Sequence, residues 1–314
     1  RGRKSLSALA CSGWIKWPLA TFATCAKRPS LKNVFDPATL PPLRDVIARH
    51  GLAAKKSLGQ NFLLDLNLTS KIAAAAGDLS GKNVIEIGPG PGGLTRALLA
   101  TGASCIYGVE RDERCIAALD ELVFVSSGRL RIVPADALAL DVAALCPPPR
   151  AIVANLPYNI ATPLLIGWLK NASAFEGMTL MFQREVAERI TAPTRCKDYG
   201  RLSVMAQWLC EVEKKFDIPP SAFVPSPKVT STVVRLVSRP LLPGAPAFAD
   251  MEKVVAAAFG QRRKMLRQSL KTLPVDAEKL IAGADLLPTA RAEEIDVAGF
   301  VRLAGAFARL SSGP

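Results

Sequence analysis

The tetrapeptide Asn155-Leu156-Pro157-Tyr158 combines a side-chain amide, a proline-fixed backbone and an aromatic ring. These groups suit transfer of a methyl group to the exocyclic amine of adenine. That amine is a poor nucleophile because its lone pair is delocalised into the ring, and two acceptors for its hydrogens would localise it. The side-chain oxygen of Asn155 is one candidate acceptor, and the backbone carbonyl of Leu156 or Pro157 is the other. Tyr158 offers a flat face for the base, and such stacking contributes about 1–3 kcal/mol per base.

The segment Phe223–Val229 would supply a second wall for such a base, with Phe223 as a further stacking surface. A base inside a double helix has to be unpaired or flipped out before it reaches a pocket of this kind. Plainer interpretations remain for both segments: Asn155–Tyr158 as an ordinary strand-to-loop junction, and Phe223–Val229 as a rigid connector. Catalysis would come mainly from positioning and electrostatics, because the alkylated amine sheds its proton without a titratable base.

A glycine-rich turn, Gly88–Thr95, follows an apolar run that reads as a strand. Glycines at a strand-to-helix turn let a ligand approach the backbone, and open α/β sheets bind ligands at this edge. Glu110 comes 22 residues after Gly88, where a carboxylate accepts both hydroxyls of a ribose. Asp136 follows the third strand and would accept a hydrogen bond from an adenine amine. The glycine spacing also fits a nicotinamide dinucleotide, so an oxidoreductase is the first alternative.

From Lys82 onward, short apolar runs alternate with helical patterns, which indicates a parallel sheet with helices on both faces. The predicted strands are 83–87, 105–109, 130–133, 151–154 and 179–182, followed by a closing hairpin of 212–218 and 231–237. The predicted helices between the first five strands are 94–100, 114–122, 163–169 and 184–191. The hairpin would add an antiparallel strand and make this a seven-stranded α/β sheet.

The composition favours a polyanionic partner, because the formal net charge is +13 and the pI is near 9.7. Seven scattered cysteines and the single histidine, His50, argue against a disulfide framework and against a metal site, so no metal is expected. No apolar run reaches the roughly 20 residues that a membrane span requires, and no membrane association is expected.

A proline-rich segment, 239–246, separates the sheet pattern from an all-helical remainder and reads as a linker. In that remainder apolar residues recur at helical spacing, Gly260 divides the pattern, and residues 297–310 read as a final helix. A chain of 314 residues has room for about two domains. We therefore predict a disordered basic extension over 1–40, a catalytic domain over 41–239 and a helical RNA-binding domain over 246–314.

The first 35 residues contain seven Lys or Arg and no Asp or Glu. They read as an organelle transit peptide, as a basic arm that touches RNA, or as upstream sequence outside the natural protein. We favour the third interpretation, because the chain begins with Arg and a helical pattern opens at 43–47. The expected location is cytoplasmic, with a mitochondrial location as the alternative.

Seven collinear motifs, from about residue 41 to the C-terminus, resemble the KsgA/Dim family of small-subunit rRNA adenine dimethyltransferases. They are Lys56–Leu63, Gly88–Thr95, Asn155–Tyr158, Gln183–Ala187, Tyr199–Ser203, Phe223–Val229 and Phe259–Lys264. The resemblance implies a Rossmann-like class I methyltransferase sheet with a small all-helical C-terminal domain. It also implies S-adenosyl-L-methionine as methyl donor, and N6,N6-dimethylation of two adjacent adenosines near the 3′ end of small-subunit rRNA during ribosome biogenesis.

The resemblance also assigns a donor site by position. Its members would be Asn61, Leu63, Gly88, Glu110, Asp136 and Asn155. Glu110, Asp136 and Asn155 receive from it the roles that their own positions suggest: the ribose, the adenine amine, and the junction of donor and target. Asn61 and Leu63 rest on the resemblance alone.

Two groups of basic residues are expected to contact RNA phosphates. One flanks the tetrapeptide: Arg184, Arg189, Arg195, Lys197 and Arg201. The other lies on the first predicted helices of the helical region: Arg262, Arg263, Lys264, Arg267 and Lys271. Any single member would ordinarily be a solvated charge, but together with the net charge they favour RNA. The expected partner is small-subunit rRNA or an assembling small subunit, bound by a monomer. A non-catalytic assembly or transcription factor on the same fold is the second alternative.

Overall fold

The computed structural model describes residues 40–55, 58–241 and 243–311, and these belong to one compact unit, Phe35–Pro314. The predicted extension over 1–40 lies almost entirely outside the described residues, as do Lys56 and Ser57 of the first family motif. No helix in the described part is long and apolar enough to cross a membrane.

Nine strands form two sheets within the described residues. They are β1 (Phe62–Leu63), β2 (Asn83–Ile87), β3 (Cys105–Glu110), β4 (Leu130–Pro134), β5 (Arg150–Asn155), β6 (Gly177–Gln183), β7 (Cys210–Ile218), β8 (Phe223–Val224) and β9 (Ser231–Ser238). The main sheet has the order β4-β3-β2-β5-β6-β9-β7. Strands β2 to β6 run parallel, whereas β9 is antiparallel to both β6 and β7. The two short strands β1 and β8 pair with each other.

Eleven α-helices accompany these strands in the described ranges of the chain. They are α1 (Leu43–Arg49), α2 (Leu66–Ala75), α3 (Gly93–Leu99), α4 (Glu113–Val125), α5 (Tyr158–Leu169), α6 (Arg184–Thr191), α7 (Arg201–Leu209), α8 (Phe248–Gly260), α9 (Leu266–Ser269), α10 (Ala277–Ala282) and α11 (Val297–Ser311). Aspartates begin three of them: the carboxylates of Asp65, Asp112 and Asp276 accept backbone N–H groups of the first turns of α2, α4 and α10.

The structure confirms the predicted α/β class and all seven predicted strands of the main sheet. It corrects the start of α5, which begins at Tyr158 directly after Pro157 and contains Pro163 in its interior. Proline favours the first turn of a helix, and this preference made Pro163 look like the beginning. The helices α2 and α7 and the short strands β1 and β8 were not predicted.

Each face of the main sheet has its own core. Val84, Ile106 and Val153 face α2, α3 and α4, whereas Ile85 and Ile152 face the side of α5 and α7. The second core continues without a break into the C-terminal helices, where it includes buried residues of α8 and α11. The proposed boundary between a catalytic and a helical domain stays a prediction, but the described parts of both share one apolar core.

Candidate functional site

A cavity opens at the carboxyl ends of β2, β3, β4 and β5, the edge at which the sequence predicted ligand binding. Several of the predicted site residues line it: Asn61, Leu63, Gly88, Glu110, Asp136, Asn155, Leu156, Pro157 and Tyr158. These residues come from segments far apart in the chain, and the parallel strands bring them together.

Glu110 occupies the end of β3 and is 6% exposed. Its carboxylate accepts three backbone hydrogen bonds, from Gly90 at 3.0 Å and from Arg111 and Asp112 at 2.9 Å each. Burial raises the pKa of this carboxyl above its usual value, while the three backbone N–H groups act in the opposite direction. The hydrogen bond from Gly90 therefore holds the glycine turn against the candidate ribose acceptor.

Two positions in the glycine turn require glycine, one because of its backbone angle and one because a strand packs closely against it. Gly90 has a φ of +55°, the left-handed region that side-chain-bearing residues rarely adopt. A Cβ on Gly93 would lie 2.6 Å from the carbonyl oxygen of Leu63, so any side chain there would push β1 away. The turn thus brings the strand that carries Leu63 against the cavity.

Asp136 lies beyond the end of β4 and forms an ion pair with Arg111, with 3.0 Å between Oδ2 and Nη1. Its Oδ1 accepts the backbone N–H of Leu138 at 3.0 Å. Both Asp136 and Arg111 line the cavity and are partly exposed. Each carboxylate oxygen has a second lone pair, so acceptance of an adenine amine is compatible with these contacts.

Asn155 ends β5, and its amide nitrogen Nδ2 donates to the backbone carbonyl of Asn61 at 3.2 Å. This contact fixes which way the amide points, and Oδ1 makes no hydrogen bond within the described residues. Asn155 therefore presents a carbonyl oxygen that is free to accept, as the sequence-based hypothesis requires. The partner, Asn61, comes from the segment Leu58–Leu63, which we call the strap.

Tyr158 begins α5 and lines the cavity, but its ring is only partly accessible. Its hydroxyl shares a hydrogen bond with the hydroxyl of Ser231 on β9. Burial raises the pKa of Tyr158, and the bond to Ser231 acts in the opposite direction. This anchor fixes the ring at the start of the helix, where a base could stack on it.

Phe223 departs from its predicted position. It is 2% exposed, packs in the core of the sheet face that carries α2 and α3, and is not among the residues lining the cavity. Pairing of β8 with β1 places Phe223 opposite Leu63 and turns its ring inward, whereas the neighbouring Val224 is 50% exposed. A stacking role for Phe223 stays a prediction and requires the ring to leave this core.

The structure adds Glu86, which sequence reasoning missed. It lies on β2 beside the cavity and is 1% exposed, and its Oε2 has no hydrogen-bond partner among the described residues. Burial is the main cause that raises the pKa of Glu86 to about 8, and the neighbouring Glu110 adds to it. A charged residue type between Ile85 and Ile87 of a buried strand was the signal available in the sequence.

Two members of the first basic group form ion pairs with carboxylates of the protein itself. Arg184 pairs with Asp217 at 2.8 Å, and Arg189 pairs with Glu185 one turn earlier on α6. Arg195, Lys197 and Arg201 are exposed, and no ion pair engages them within the described residues. Exposed pairs of this kind are weak, so phosphate could replace the carboxylates.

The second basic group is not arranged as predicted. Arg262, Arg263 and Lys264 lie in the turn between α8 and α9, because α8 ends at Gly260. Arg262 bonds to Glu293 through Nε at 2.8 Å and to the carbonyl of Cys196 through Nη2 at 3.2 Å. It therefore ties the turn to two other segments.

The remaining cations of this group are exposed and form no ion pair within the described residues. They are Arg263, Lys264, Arg267 and Lys271. A phosphate contact by Arg262 stays a prediction, as it does for these four.

The strand order, with one antiparallel strand next to the edge, and the cavity at the carboxyl ends define a class I methyltransferase. The chain belongs to the ribosomal RNA adenine dimethylase family, whose sequence model matches residues 51–309. This membership decides against the nicotinamide-dependent alternative.

Curated relatives are similar in sequence to this chain over most of its length. Ribosomal RNA small subunit methyltransferase A of Rhodospirillum rubrum is 62% identical over 268 residues, which cover 85% of this chain and 92% of the relative. The protein of the same name from Paramagnetospirillum magneticum is 60% identical over 271 residues, covering 86% and 95%.

Two solved structures share the fold. A dimethyladenosine transferase from Plasmodium falciparum superposes with a TM-score of 0.67 at 26% identity, covering 77% of this chain and 95% of that one. The 23S rRNA methyltransferase ErmE superposes with a TM-score of 0.59 at 30% identity, covering 80% and 100%.

Proposed function

We propose that this chain transfers methyl groups from S-adenosylmethionine to N6 of two adjacent adenosines near the 3′ end of small-subunit rRNA, giving N6,N6-dimethyladenosine. The observation that carries the proposal is the fixed amide of Asn155, whose Nδ2 donates to Asn61 and whose Oδ1 is left to accept. Relatives of 60–62% identity are named for the small ribosomal subunit, which supports this subunit as the target.

The cavity fits the donor on the evidence of its own side chains. Glu110 is held by three backbone N–H groups at the edge of the cavity, where the lone pair left on Oε2 would accept a ribose hydroxyl. Asp136, fixed by Arg111, would accept the adenine amine of the donor. Asn61 and Leu63 of the strap line the same cavity and would also contact the donor.

The donor supplies an electrophilic methyl group on a sulfonium. In the first transfer, Asn155 Oδ1 and the carbonyl of Leu156 or Pro157 would accept the two N6 hydrogens, and in the second transfer one of them would accept the single hydrogen left. These bonds would direct the nitrogen lone pair toward the methyl group. The new N–C bond forms as the S–CH3 bond breaks, the electron pair stays on sulfur, and the cationic amine loses a proton to water. Tyr158 would stack on the base and hold it in line.

Small-subunit rRNA, free or partly assembled, is the proposed partner, and a monomer acting in the cytoplasm is the proposed form. The formal net charge of +13 supports an RNA partner, and the exposed cations of both basic groups would contact its phosphates. A mitochondrial location is retained as the alternative, because it depends on residues 1–35.

The test is mass spectrometry of undermodified small subunits incubated with the protein and S-adenosylmethionine. We expect two adjacent adenosines to gain two methyl groups each. Asn155→Ala should reduce transfer by at least about a hundredfold, since it removes an acceptor used in the transition state, while RNA binding stays near normal.

Asn171→Ala is the matched control, because Asn171 is exposed and its side chain caps no backbone group. Near-normal transfer by Asn155→Ala would refute the role of Asn155. A wild-type protein that binds the subunit and adds no methyl group would favour the non-catalytic alternative.

A further inference from the structure

We propose that Gln60 and Asp112 form a latch that positions the strap, Leu58–Leu63, across the cavity, and that both are positioning residues for methyl transfer. The proposal rests on the proposed function. Its central observation is a hydrogen bond from Gln60 Nε2 to Asp112 Oδ2 at 3.0 Å, between residues that are 52 positions apart. Gln60 lines the cavity, but Asp112 and the backbone of Lys55 engage both of its side-chain polar atoms, so it would act through the strap, as Asp112 would.

Asp112 is a buried and fully engaged acceptor. It is 4% exposed, and Arg114 donates to it through Nε at 3.0 Å and through Nη2 at 2.7 Å. The bonds from Arg114 are the main cause that lowers the pKa of Asp112 to about 2. The carboxylate is therefore ionised at neutral pH and presents a fixed negative charge to Gln60.

The side chains of Gln60 and Arg114 also hold the segment that leads into the strap. Gln60 Oε1 accepts the backbone N–H of Lys55 at 2.9 Å, and Arg114 Nη1 donates to the carbonyl of Ala53 at 3.2 Å. The Lys55 ammonium lies 4.0 Å from Asp112 Oδ1. The buried carboxylate of Asp112 thus contacts Lys55, which precedes the strap, and Gln60, which lies within it.

Asp112 is joined to the donor site on its other side. Its backbone N–H donates to Glu110 Oε1 at 2.9 Å, one of the three bonds that fix the candidate ribose acceptor. The latch therefore links the strap to the end of β3 through a single residue. Loss of the latch would leave Glu110 in place and free the strap to move.

The strap in turn fixes groups at the centre of the cavity. The carbonyl of Asn61 receives the amide of Asn155 at 3.2 Å, and Leu63 pairs with Phe223. A shift of the strap would loosen donor contacts and release the amide of Asn155 at the same time. We therefore expect the latch to affect donor affinity and turnover together.

The experiment exchanges the two partners. Gln60→Glu sets a carboxylate against Asp112 and should weaken binding of S-adenosylmethionine about tenfold. The double variant Gln60→Glu with Asp112→Asn exchanges the two groups. In it the amide at position 112 donates to the carboxylate at position 60. This double variant should bind S-adenosylmethionine more tightly than Gln60→Glu, although residue 112 then offers Arg114 one acceptor oxygen in place of two. Asp112→Asn retains an oxygen that can still accept the first N–H groups of α4.

The measurement is calorimetric titration with S-adenosylmethionine in the absence of RNA. Asp120→Asn is the control for loss of one charge on the same helix, since Asp120 is exposed, and it should leave the Kd unchanged. Melting temperature and RNA affinity should stay near wild type in Gln60→Glu and Asp120→Asn, whereas the double variant should melt lower because Asp112→Asn removes one acceptor of Arg114. These readouts separate a positioning role from general unfolding.

Wild-type affinity of Gln60→Glu, or a double variant no tighter than Gln60→Glu, would overturn the latch. A wild-type protein that binds the donor and transfers no methyl group to the RNA would refute the proposed function and leave the latch standing. Failure of the wild type to bind the donor would overturn both.

Discussion

Glu86 places a carboxyl group inside the sheet, on a strand whose other inner residues are apolar. Its Oε2 and the hydroxyl of Thr95 are both buried without a hydrogen-bond partner in the described part of the chain. A buried carboxylate is costly unless it is paired, so the protonated form is favoured. The rise in the pKa of Glu86 to about 8 expresses this preference.

The stability of the protein without ligand should therefore depend on pH through Glu86. Its pKa is about 8 in the fold and 4.5 when the chain is unfolded, so the folded state holds a proton that the unfolded state has lost between these values. Stability from this residue is fully present below pH 4.5, falls as the pH rises through the window, and is lost above 8. The change is on the order of a few kcal/mol, because each pKa unit corresponds to about 1.4 kcal/mol.

Glu86→Gln mimics the protonated form and should flatten this dependence, measured as melting temperature against pH. Glu211→Gln is the control, since Glu211 is exposed on β7 and lies far from the cavity in the sheet order. An unchanged pH dependence in Glu86→Gln would show that Glu86 is ionised in the fold.

The residues that line the cavity were predictable where they follow a strand directly. Glu110, Asp136 and Asn155 each end or follow a parallel strand, and the topology brings such positions to one edge. The bond between Gln60 and Asp112 was not predictable, because it depends on how the strap crosses the cavity. The inward turn of Phe223 was missed for a similar reason: it follows from the pairing of β8 with β1.

The cations in the turn between α8 and α9 differ in whether they are bonded within the protein or exposed. Arg262 is tied to Glu293 and to the carbonyl of Cys196, whereas Arg263 and Lys264 are exposed. The tie holds the turn against the segments around Cys196 and Glu293. The free cations on it are therefore presented from a fixed backbone.

Reversal of the two free charges, Arg263→Glu with Lys264→Glu, should weaken RNA binding and reduce the slope of log Kd against log salt by about 1.5. Each lost phosphate contact removes about 0.7–0.9 from that slope. Arg262 is left intact so that the turn keeps its shape. Filter binding of small-subunit rRNA at several salt concentrations gives the measurement.

Lys253→Glu with Lys279→Glu is the control of equal charge change, since both lysines are exposed on other helices. If both double variants lose affinity equally, the effect comes from net charge and the turn is no specific contact.

At the level of elements, the sequence predicts best the buried strands at the centre of the main sheet. The five parallel strands are short buried apolar runs, and their bounds agree with the structure to within two residues. Helix α7 was missed because six of its nine residues are buried, which blurs the one-sided apolar pattern of a surface helix. The strands β1 and β8 have two residues each, too few for any periodicity.

Across the whole molecule, one apolar core runs from the main sheet into the C-terminal helices. The buried hydroxyl of Tyr199 donates to the carbonyl of Ile295 at 2.9 Å, 96 residues further along the chain. Its ring meets Phe259 edge-on at 6.0 Å, and Phe259 stacks on Phe300 at 5.6 Å. These contacts join the segment before α7 to α8 and α11.

Tyr199→Phe should destabilise the protein by about 1–3 kcal/mol, because the carbonyl of Ile295 loses its partner in a buried position. Thermal unfolding followed by circular dichroism and calorimetry should show a single transition at a lower temperature, since the core is shared. Phe124→Ala, at a position that is 86% exposed, should change stability by less than about 0.5 kcal/mol. Two separate transitions would indicate that the helical region unfolds as an independent domain.

The strand order has a consequence for how a ribosome delivers this chain. Strand β7 leaves the exit tunnel before β9, yet β9 is its only partner among the strands of the described residues, and β9 also pairs with β6. Until β9 emerges, the nascent protein therefore carries one unpaired strand and one open sheet edge, both able to pair with foreign chains. Translation pauses after residue 218 has emerged from the tunnel and before residue 238 has emerged would prolong that exposure, whereas pauses after residue 238 has emerged would not.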